Sequence, residues 1–262
     1  MQSLFSVRQQ PIAIIGGTSG IGLGVAKYLA DQGAKVVITG RRPEGKELAQ
    51  SIKALYINMD IGDEASVTEA MMQIAEAFEG RLHGLVLNAG IEPEAGQCRE
   101  MDLAALKQTF DVNLFGIAAV LKTALPLMSA GSSIVATSSP AASVYLAGMG
   151  AYSASKAALQ ALIKTAAIEL GPQGIRINGF LPGIVPTEMS LAQDAAGGEL
   201  DKIRAMNQSG KVRQPEEMGP IVQFLLSAAA APVTGTILGA DDGLTAGLSN
   251  ELLDRAFGGI KI

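Results

Sequence analysis

Tyr152 and Lys156 stand four residues apart in a segment with helical periodicity, so both side chains leave one face of a predicted helix. A free tyrosine, with a pKa of about 10, is a poor base at neutral pH. An ammonium about 4 Å away, at an effective dielectric near 20, is worth about 4 kcal/mol. That is about three pKa units, enough to bring the phenol toward physiological pH. Pairs of this spacing also decorate ordinary helix surfaces, so their company decides the reading. Ser138 and Ser139 end one predicted strand, Asn88-Ala89-Gly90 ends another, and Pro182-Gly183 follows a third. Carboxyl ends of parallel strands are where ligands bind in open α/β sheets. Asn113 lies among Phe110, Val112, Leu114 and Phe115, where a polar group costs energy unless it is hydrogen-bonded.

A second constellation lies near the start of the chain. Gly16, Gly20 and Gly22 fall between an apolar strand-like run and a helix-like segment. Gly16 suits a tight turn, Gly20 a close approach of backbone to pyrophosphate, and Gly22 close packing of helix on sheet. The helix N-terminus offers unpaired N–H groups and partial positive charge, and Thr18 and Ser19 add hydroxyls. Where an NAD site of this kind carries an acid on the ribose 2′-hydroxyl, this chain has Gly40 followed by Arg41 and Arg42. Two guanidinium groups suit a 2′-phosphate, which favours NADP(H) over NAD(H). The rival reading is a solvated arginine pair, and Ser19 adds no basic residue in support. Asp60, with Ile61 beside it, follows the third strand and could accept from an adenine amino group or cap the next helix. Asp63 competes for the cap.

The elements that must carry these residues alternate strand and helix. Strands are expected at 11–15, 34–39, 54–58, 82–88, 133–137, 175–180 and 236–238. Helices are expected at 20–32, 66–78, 103–127, 152–170 and 218–230. This alternation means βαβ units and a parallel sheet, and continuously apolar strands mean helices on both faces. The segments 92–98 and 187–212 are the least ordered in pattern, and the second reads as a substrate lid.

Composition narrows the class. Of 262 residues, 48% are hydrophobic and 17% charged, which suits one domain with a buried core. A net charge of -5 argues against a nucleic-acid binder. One Cys and one His argue against a disulfide framework and against a metal site. No uninterrupted apolar run reaches the roughly 18 residues of a membrane span, and 1–10 does not read as a signal peptide. A cytoplasmic protein is the expectation.

Taken together, the motifs resemble the short-chain dehydrogenase/reductase family, in its compact single-domain branch, from about Pro11 to Gly243. The family's T-G-x-x-x-G-x-G appears as Ile15-Gly16-Gly17-Thr18-Ser19-Gly20-Ile21-Gly22, with Ile15 in place of Thr. Its N-N-A-G is Leu87-Asn88-Ala89-Gly90, and its Y-x-x-x-K runs from Tyr152 to Lys156. A Ser thirteen positions before the Tyr selects Ser139 over Ser138. Its Asn matches Asn113, and its P-G-x-x-x-T runs from Pro182 to Thr187. A later V-D-G-G ends here as Ala240-Asp241-Asp242-Gly243, with Asp242 in place of Gly.

The resemblance implies an α/β fold: a Rossmann-like doubly wound parallel sheet of about seven strands with helices on both faces, in a single domain. It would carry a lid at 187–212 and a tail at 244–262. It implies hydride transfer between a nicotinamide and a ketone or secondary alcohol; the arginine pair favours NADP(H), with NAD(H) possible, and the mostly apolar mouth residues suggest a substrate with an apolar body. Tyr152 would be general acid and base, Lys156 would hold the nicotinamide ribose and lower the Tyr152 pKa, Ser139 would orient the substrate oxygen, and Asn113 would fix a water. The dinucleotide would contact Gly16, Thr18, Ser19, Gly20, Ile21, Gly22, Arg41, Arg42, Asp60, Ile61, Asn88, Ala89 and Gly90. It would also contact Pro182, Gly183, Ile184 and Thr187. Pro140, Tyr145, Leu146, Met149, Ile184 and the lid, with Met189 and Leu191, would form the substrate mouth, with a core or rim aromatic as the rival reading of Tyr145. Glu92 and Glu94 near the rim either disfavour a polyanionic substrate or read as ordinary solvated charges. The resemblance further implies a homotetramer, or a homodimer, with 103–127 and 152–170 at one interface. The Ala-rich face at Ala154, Ala157, Ala158 and Ala161 would serve that interface or burial within the monomer. A dinucleotide sensor without turnover is the rival class, against which the complete Ser139/Tyr152/Lys156/Asn113 set argues. A sugar-nucleotide epimerase would need a larger C-terminal domain.

Overall fold

The strands are β1 (Pro11–Ile15), β2 (Lys35–Gly40), β3 (Leu55–Asn58), β4 (Gly84–Leu87), β5 (Ser133–Thr137), β6 (Arg176–Pro182) and β7 (Ile237–Ala240). In the computed structural model, which describes residues 3–187 and 208–247, they form one sheet ordered β3-β2-β1-β4-β5-β6-β7. Every pairing is parallel. The crossovers carry α1 (Gly20–Asp31), α2 (Gly45–Ser51), α3 (Glu64–Ala77), α4 (Leu103–Phe110), α5 (Ile117–Ala124), α6 (Gly150–Leu170) and α7 (Gly219–Leu226). This is the expected single Rossmann-like domain.

Alternation along each strand splits the core into two layers. Ile12 and Ile14 of β1 pack with Val25 and Leu29 of α1 and Val222 and Leu225 of α7. Ala13 and Ile15 face the other way, into the layer built by Ile74 of α3, Val120 of α5 and Ile163 of α6. Each fully buried aliphatic side chain of this kind contributes roughly 1.5–3 kcal/mol. Polar caps set the helix starts: Asp63 accepts from the Ala65 N–H at 2.9 Å, and Asp102 from the Ala104 N–H at 2.8 Å. Gly33 closes α1 in the left-handed region at φ +83°.

Three elements depart from expectation. α2 was not foreseen, because seven residues behind Pro43 carry too little periodicity to register. The stretch 103–127 is helical throughout but not uniform: a π-helical turn at Asp111–Gly116 separates α4 from α5. Of the expected helix 218–230 only α7 is α-helical, flanked by 3-10 turns at Pro215–Met218 and Ala228–Ala230. Leu103–Leu127 is also apolar enough by composition to cross a membrane. Ile117, Val120, Leu121 and Ala124 are instead buried against the sheet. Most of the expected lid, including Met189 and Leu191, and the tail beyond 247 lie outside the described residues.

The strand order reverses beside β1, between β1 and β4. A crevice opens there at the carboxyl ends of the strands, as it must in a sheet wound in both directions.

Candidate active site

The crevice has a volume of about 970 Å³, enough for a dinucleotide and a small molecule together. One end is built by the turn after β1. Gly16 holds φ +81°, and a Cβ there would sit 2.6 Å from the Ala89 Cα, so only glycine fits. Gly22 does not line the crevice; it packs on the Gly16 carbonyl, which brings α1 onto the sheet and aims its N-terminus at the opening. Thr18, Ser19, Gly20 and Ile21 line this end with Arg41, Arg42, Asp60 and Ile61. A glycine-lined cradle at a helix N-terminus, walled by two arginines, fits the diphosphate and ribose of a dinucleotide.

The arginines are not as free of acids as the sequence suggested. Arg41 Nη1 lies 3.4 Å from Asp60 Oδ2, and Arg42 Nη1 lies 3.6 Å from Glu44 Oε1. The correction follows from folding: the carboxyl end of β3 brings Asp60 beside β2, and α2 begins just after Glu44. Such exposed pairs are worth about 0–1 kcal/mol, so a phosphate dianion can displace the acids. Asp60 Oδ1 accepts from the Gly62 N–H, while Asp63 takes the α3 cap.

Asn88 lines the crevice, but its amide is occupied. It donates to the Gly16 carbonyl at 2.9 Å and accepts from the Thr137 hydroxyl at 3.0 Å. It ties the ends of β1, β4 and β5 together. Ala89 and Gly90 line the wall, and Gly90 faces Lys156 Nζ and Asn113 Oδ1, both within 3.3 Å of where a Cβ would stand. Pro182, Gly183, Ile184 and Thr187 close the opposite side beyond β6.

At the centre, Tyr152 and Lys156 project from the first turns of α6, with Lys156 Nζ 5.7 Å from the Tyr152 ring centre. Ser139, just beyond β5, lines the crevice with Tyr152 and is near enough to lower its pKa. Lys156 is fully buried and donates to the Thr137 carbonyl at 3.0 Å. The electrostatics differ from expectation. Burial raises the Tyr152 pKa to about 12, against the lowering effect of Ser139, and the Glu92 charge raises it further. Burial also lowers Lys156 to about 8, with Glu92 opposing. On both groups desolvation outweighs the neighbouring charges, so the net shift of Tyr152 is upward.

Asn113 is wholly buried in the π-helical turn. Its amide donates to the Ile91 carbonyl at 2.9 Å and to Ser155 Oγ at 3.1 Å, and its Oδ1 accepts from the Ile91 N–H at 2.8 Å. Both amide donors are therefore spent on protein, and the side chain clamps the segment after β4 onto α6. π-turns of this kind frequently mark functional sites.

Two rim residues change places. Glu92 lines the crevice and its charge reaches both Tyr152 and Lys156, contrary to its reading as a solvated charge, whereas Glu94 is exposed as expected. Tyr145, expected in the substrate mouth, is 70% exposed outside the crevice, its hydroxyl donating to the Ala142 carbonyl. Pro140, Leu146, Met149 and Ile184 do line the mouth, with Ala141, Val144 and Leu244 added. The sequence reading missed Ser155, the partner of Asn113. Its signal was its place inside the Tyr152–Lys156 turn, where its hydroxyl also donates to the Tyr152 carbonyl at 2.7 Å.

A doubly wound parallel sheet with a glycine cradle at its switch point and a Tyr/Lys/Ser cluster beside it defines a nucleotide-binding α/β protein with proton-transfer groups. A family model described as enoyl-(acyl carrier protein) reductase matches residues 16–245. The chain is 37% identical to cis-4-hydroxycyclohexanecarboxylate dehydrogenase of Sinomonas cyclohexanicum, over 89% of this chain and 95% of that protein. It is 35% identical to 2,5-dichloro-2,5-cyclohexadiene-1,4-diol dehydrogenase of Sphingobium indicum, over 90% of this chain and 96% of that one. A solved short-chain dehydrogenase from Burkholderia cenocepacia, in complex with NADP, superposes with a TM-score of 0.84 at 32% identity, covering 91% of this chain and 99% of that one. The chain belongs to the short-chain dehydrogenase/reductase family, whose members are oxidoreductases that use a nicotinamide dinucleotide on alcohol and carbonyl groups.

Proposed function

We propose that this protein is an NADP(H)-dependent oxidoreductase that interconverts an apolar, cyclic secondary alcohol and its ketone. The observation that carries the reading is the clustering of Ser139, Tyr152 and buried Lys156 in the same crevice as the glycine cradle. The nicotinamide supplies or accepts the hydride. Tyr152 holds its proton at neutral pH and donates it to a carbonyl oxygen. Ser139 orients that oxygen by a hydrogen bond, and the Lys156 ammonium holds the nicotinamide ribose. Asn113 acts through Ile91 and Ser155, fixing the wall on which these groups sit. Arg41 and Arg42 read the 2′-phosphate, and the Burkholderia relative, solved as an NADP complex, supports that choice. Pro140, Val144, Leu146 and Met149 suit a hydrocarbon ring, in keeping with the cyclohexane and cyclohexadiene alcohols in the names of the two relatives.

We further infer a homo-oligomer, because Leu103, Phe115 and Ile168 are exposed apolar side chains and Ala154 and Ala161 of α6 are also exposed. The test of function is a panel of cyclic alcohols and ketones with both dinucleotides, followed by dihydronicotinamide absorbance. Tyr152→Phe should lose at least about a hundredfold in turnover while still binding NADPH. Undiminished turnover in that variant refutes the mechanism, and a wild-type protein that binds NADPH but turns over no alcohol or ketone refutes the enzyme.

A further inference from the structure

We propose that the Arg213–Asp242 ion pair is a positioning element for the substrate wall of the crevice, holding Ile184 and Leu244 in register. Arg213 grips Asp242 with two parallel bonds, Nε to Oδ2 at 2.8 Å and Nη2 to Oδ1 at 2.6 Å. This fork geometry is the strongest that a guanidinium makes with a carboxylate. The side chains are 32% and 11% exposed, so the carboxylate is largely shielded from water. On its other flank Arg213 bonds Glu217 Oε1 at 3.1 Å, and Glu217 itself caps the turn before α7 through the Gln214 N–H. Arg213 is thus anchored between that turn and the turn after β7.

Both ends of this tie reach the crevice through the backbone. The Arg213 N–H donates to the Ile184 carbonyl at 3.1 Å. Asp242 sits between Asp241 and Gly243, in a turn where Asp241 accepts from the Gly243 and Thr245 N–H groups and from the Thr245 hydroxyl. The Leu244 N–H closes on the Asp241 carbonyl at 3.0 Å. Leu244 and Ile184 both line the crevice, and the Gly183 N–H joins the two strand ends by donating to the Ala240 carbonyl at 3.0 Å.

The backbone gives independent support. Asp242 holds φ +52°, a left-handed conformation that disfavours a side chain, at the position where the resemblance places glycine. A strained residue whose side chain makes the tightest ion pair of the region marks a position kept for that side chain. Arg213 also holds the Asp242 carboxyl below the usual range, so the pair stays ionised at neutral pH.

The inference rests on the proposed function, since Ile184 and Leu244 matter as substrate contacts. Tyr152 and Lys156 stand on α6 and Ser139 just beyond β5, and among the described residues none of their hydrogen bonds or ion pairs reaches the fork. Loosening it should therefore raise KM and leave kcat. In Arg213→Gln and in Asp242→Asn, with the alcohol best used by the wild type, KM should rise about tenfold and kcat should stay within about threefold. The double variant should be no worse than the worse single variant, because the pair acts as a unit. Arg213→Lys should not restore KM, because an ammonium cannot make the fork. Amide hydrogen exchange without ligand should speed up about tenfold at 183–185 and 243–245 in both single variants. A fall in melting temperature with unchanged KM and unchanged exchange overturns the proposal, as do single effects that multiply in the double variant. Absence of turnover in the wild type would count against the proposed function instead, and the exchange measurement would then decide on the fork by itself.

Discussion

Replacing Lys156 with methionine should make the protein more stable and inactive at once. Lys156 is buried as a cation, and its pKa falls from 10.5 to about 8 for that reason. At 1.36 kcal/mol per unit, holding the charge inside the fold at pH 7 costs about 3 kcal/mol relative to the unfolded chain. Methionine removes that cost but deprives the Thr137 carbonyl of its donor, which returns about 1 kcal/mol. The net gain is about 2 kcal/mol, or roughly 5 °C in melting temperature for a chain of this size. The pH dependence carries the sharper test. Between about pH 8 and 10.5 the unfolded lysine is still protonated while the native one is not, so the wild type becomes more stable as pH rises through that window. The variant has no such group. The advantage of Lys156→Met should therefore be constant up to about pH 8 and shrink steadily above it. The assay is thermal unfolding of both proteins, without dinucleotide, at intervals from pH 6 to 10. A variant that melts below the wild type at pH 7, or a difference that stays flat through pH 10, would refute the electrostatic argument.

Two further outcomes follow from the same site. For ketone reduction, kcat/KM should be level through neutral pH and fall as pH rises through about 8, where Lys156 loses its charge, while Tyr152 keeps its proton to about 12; an alkaline limb displaced toward 10 would reassign the titrating group. Arg41→Ala combined with Arg42→Ala should cut the NADPH-to-NADH ratio of kcat/KM at least about tenfold, and a wild type that prefers NADH would remove the basis of the 2′-phosphate reading.

The strands were legible because parallel strands covered on both sides are largely apolar, and runs such as Ile12–Ile15 and Leu85–Leu87 are strand-length and alternate with helix-length segments. The glycine cradle and the Tyr152/Lys156 pair were legible because backbone geometry and helical spacing constrain residue type locally. What the sequence hid depends on distance in space. Asp60 meets Arg41 only because β3 pairs with β2. Asn113 is satisfied by Ile91, twenty-two residues away, across a π-turn that periodicity cannot distinguish from ordinary helix. Asp242 looked like a departure in a turn until Arg213, twenty-nine residues earlier, supplied its partner.

The largest difference lies in the sign of the Tyr152 shift, and it bears on direction. A spacing argument counts the lysine charge and omits the water that folding removes. Burial disfavours the charged form of each group, so it raises the phenol and lowers the ammonium. With Tyr152 at about 12 and Lys156 at about 8, the lysine releases its proton first, and a neutral phenol stands beside the crevice at every physiological pH. Such a group is a ready donor to a developing alkoxide. To act as a base it needs positive charge beyond what Lys156 supplies, and the Glu92 carboxylate, which raises both groups, works against it. Removing that carboxylate by Glu92→Gln should therefore lower the pH at which alcohol oxidation becomes appreciable. An oxidation profile that does not move would place the controlling charge elsewhere.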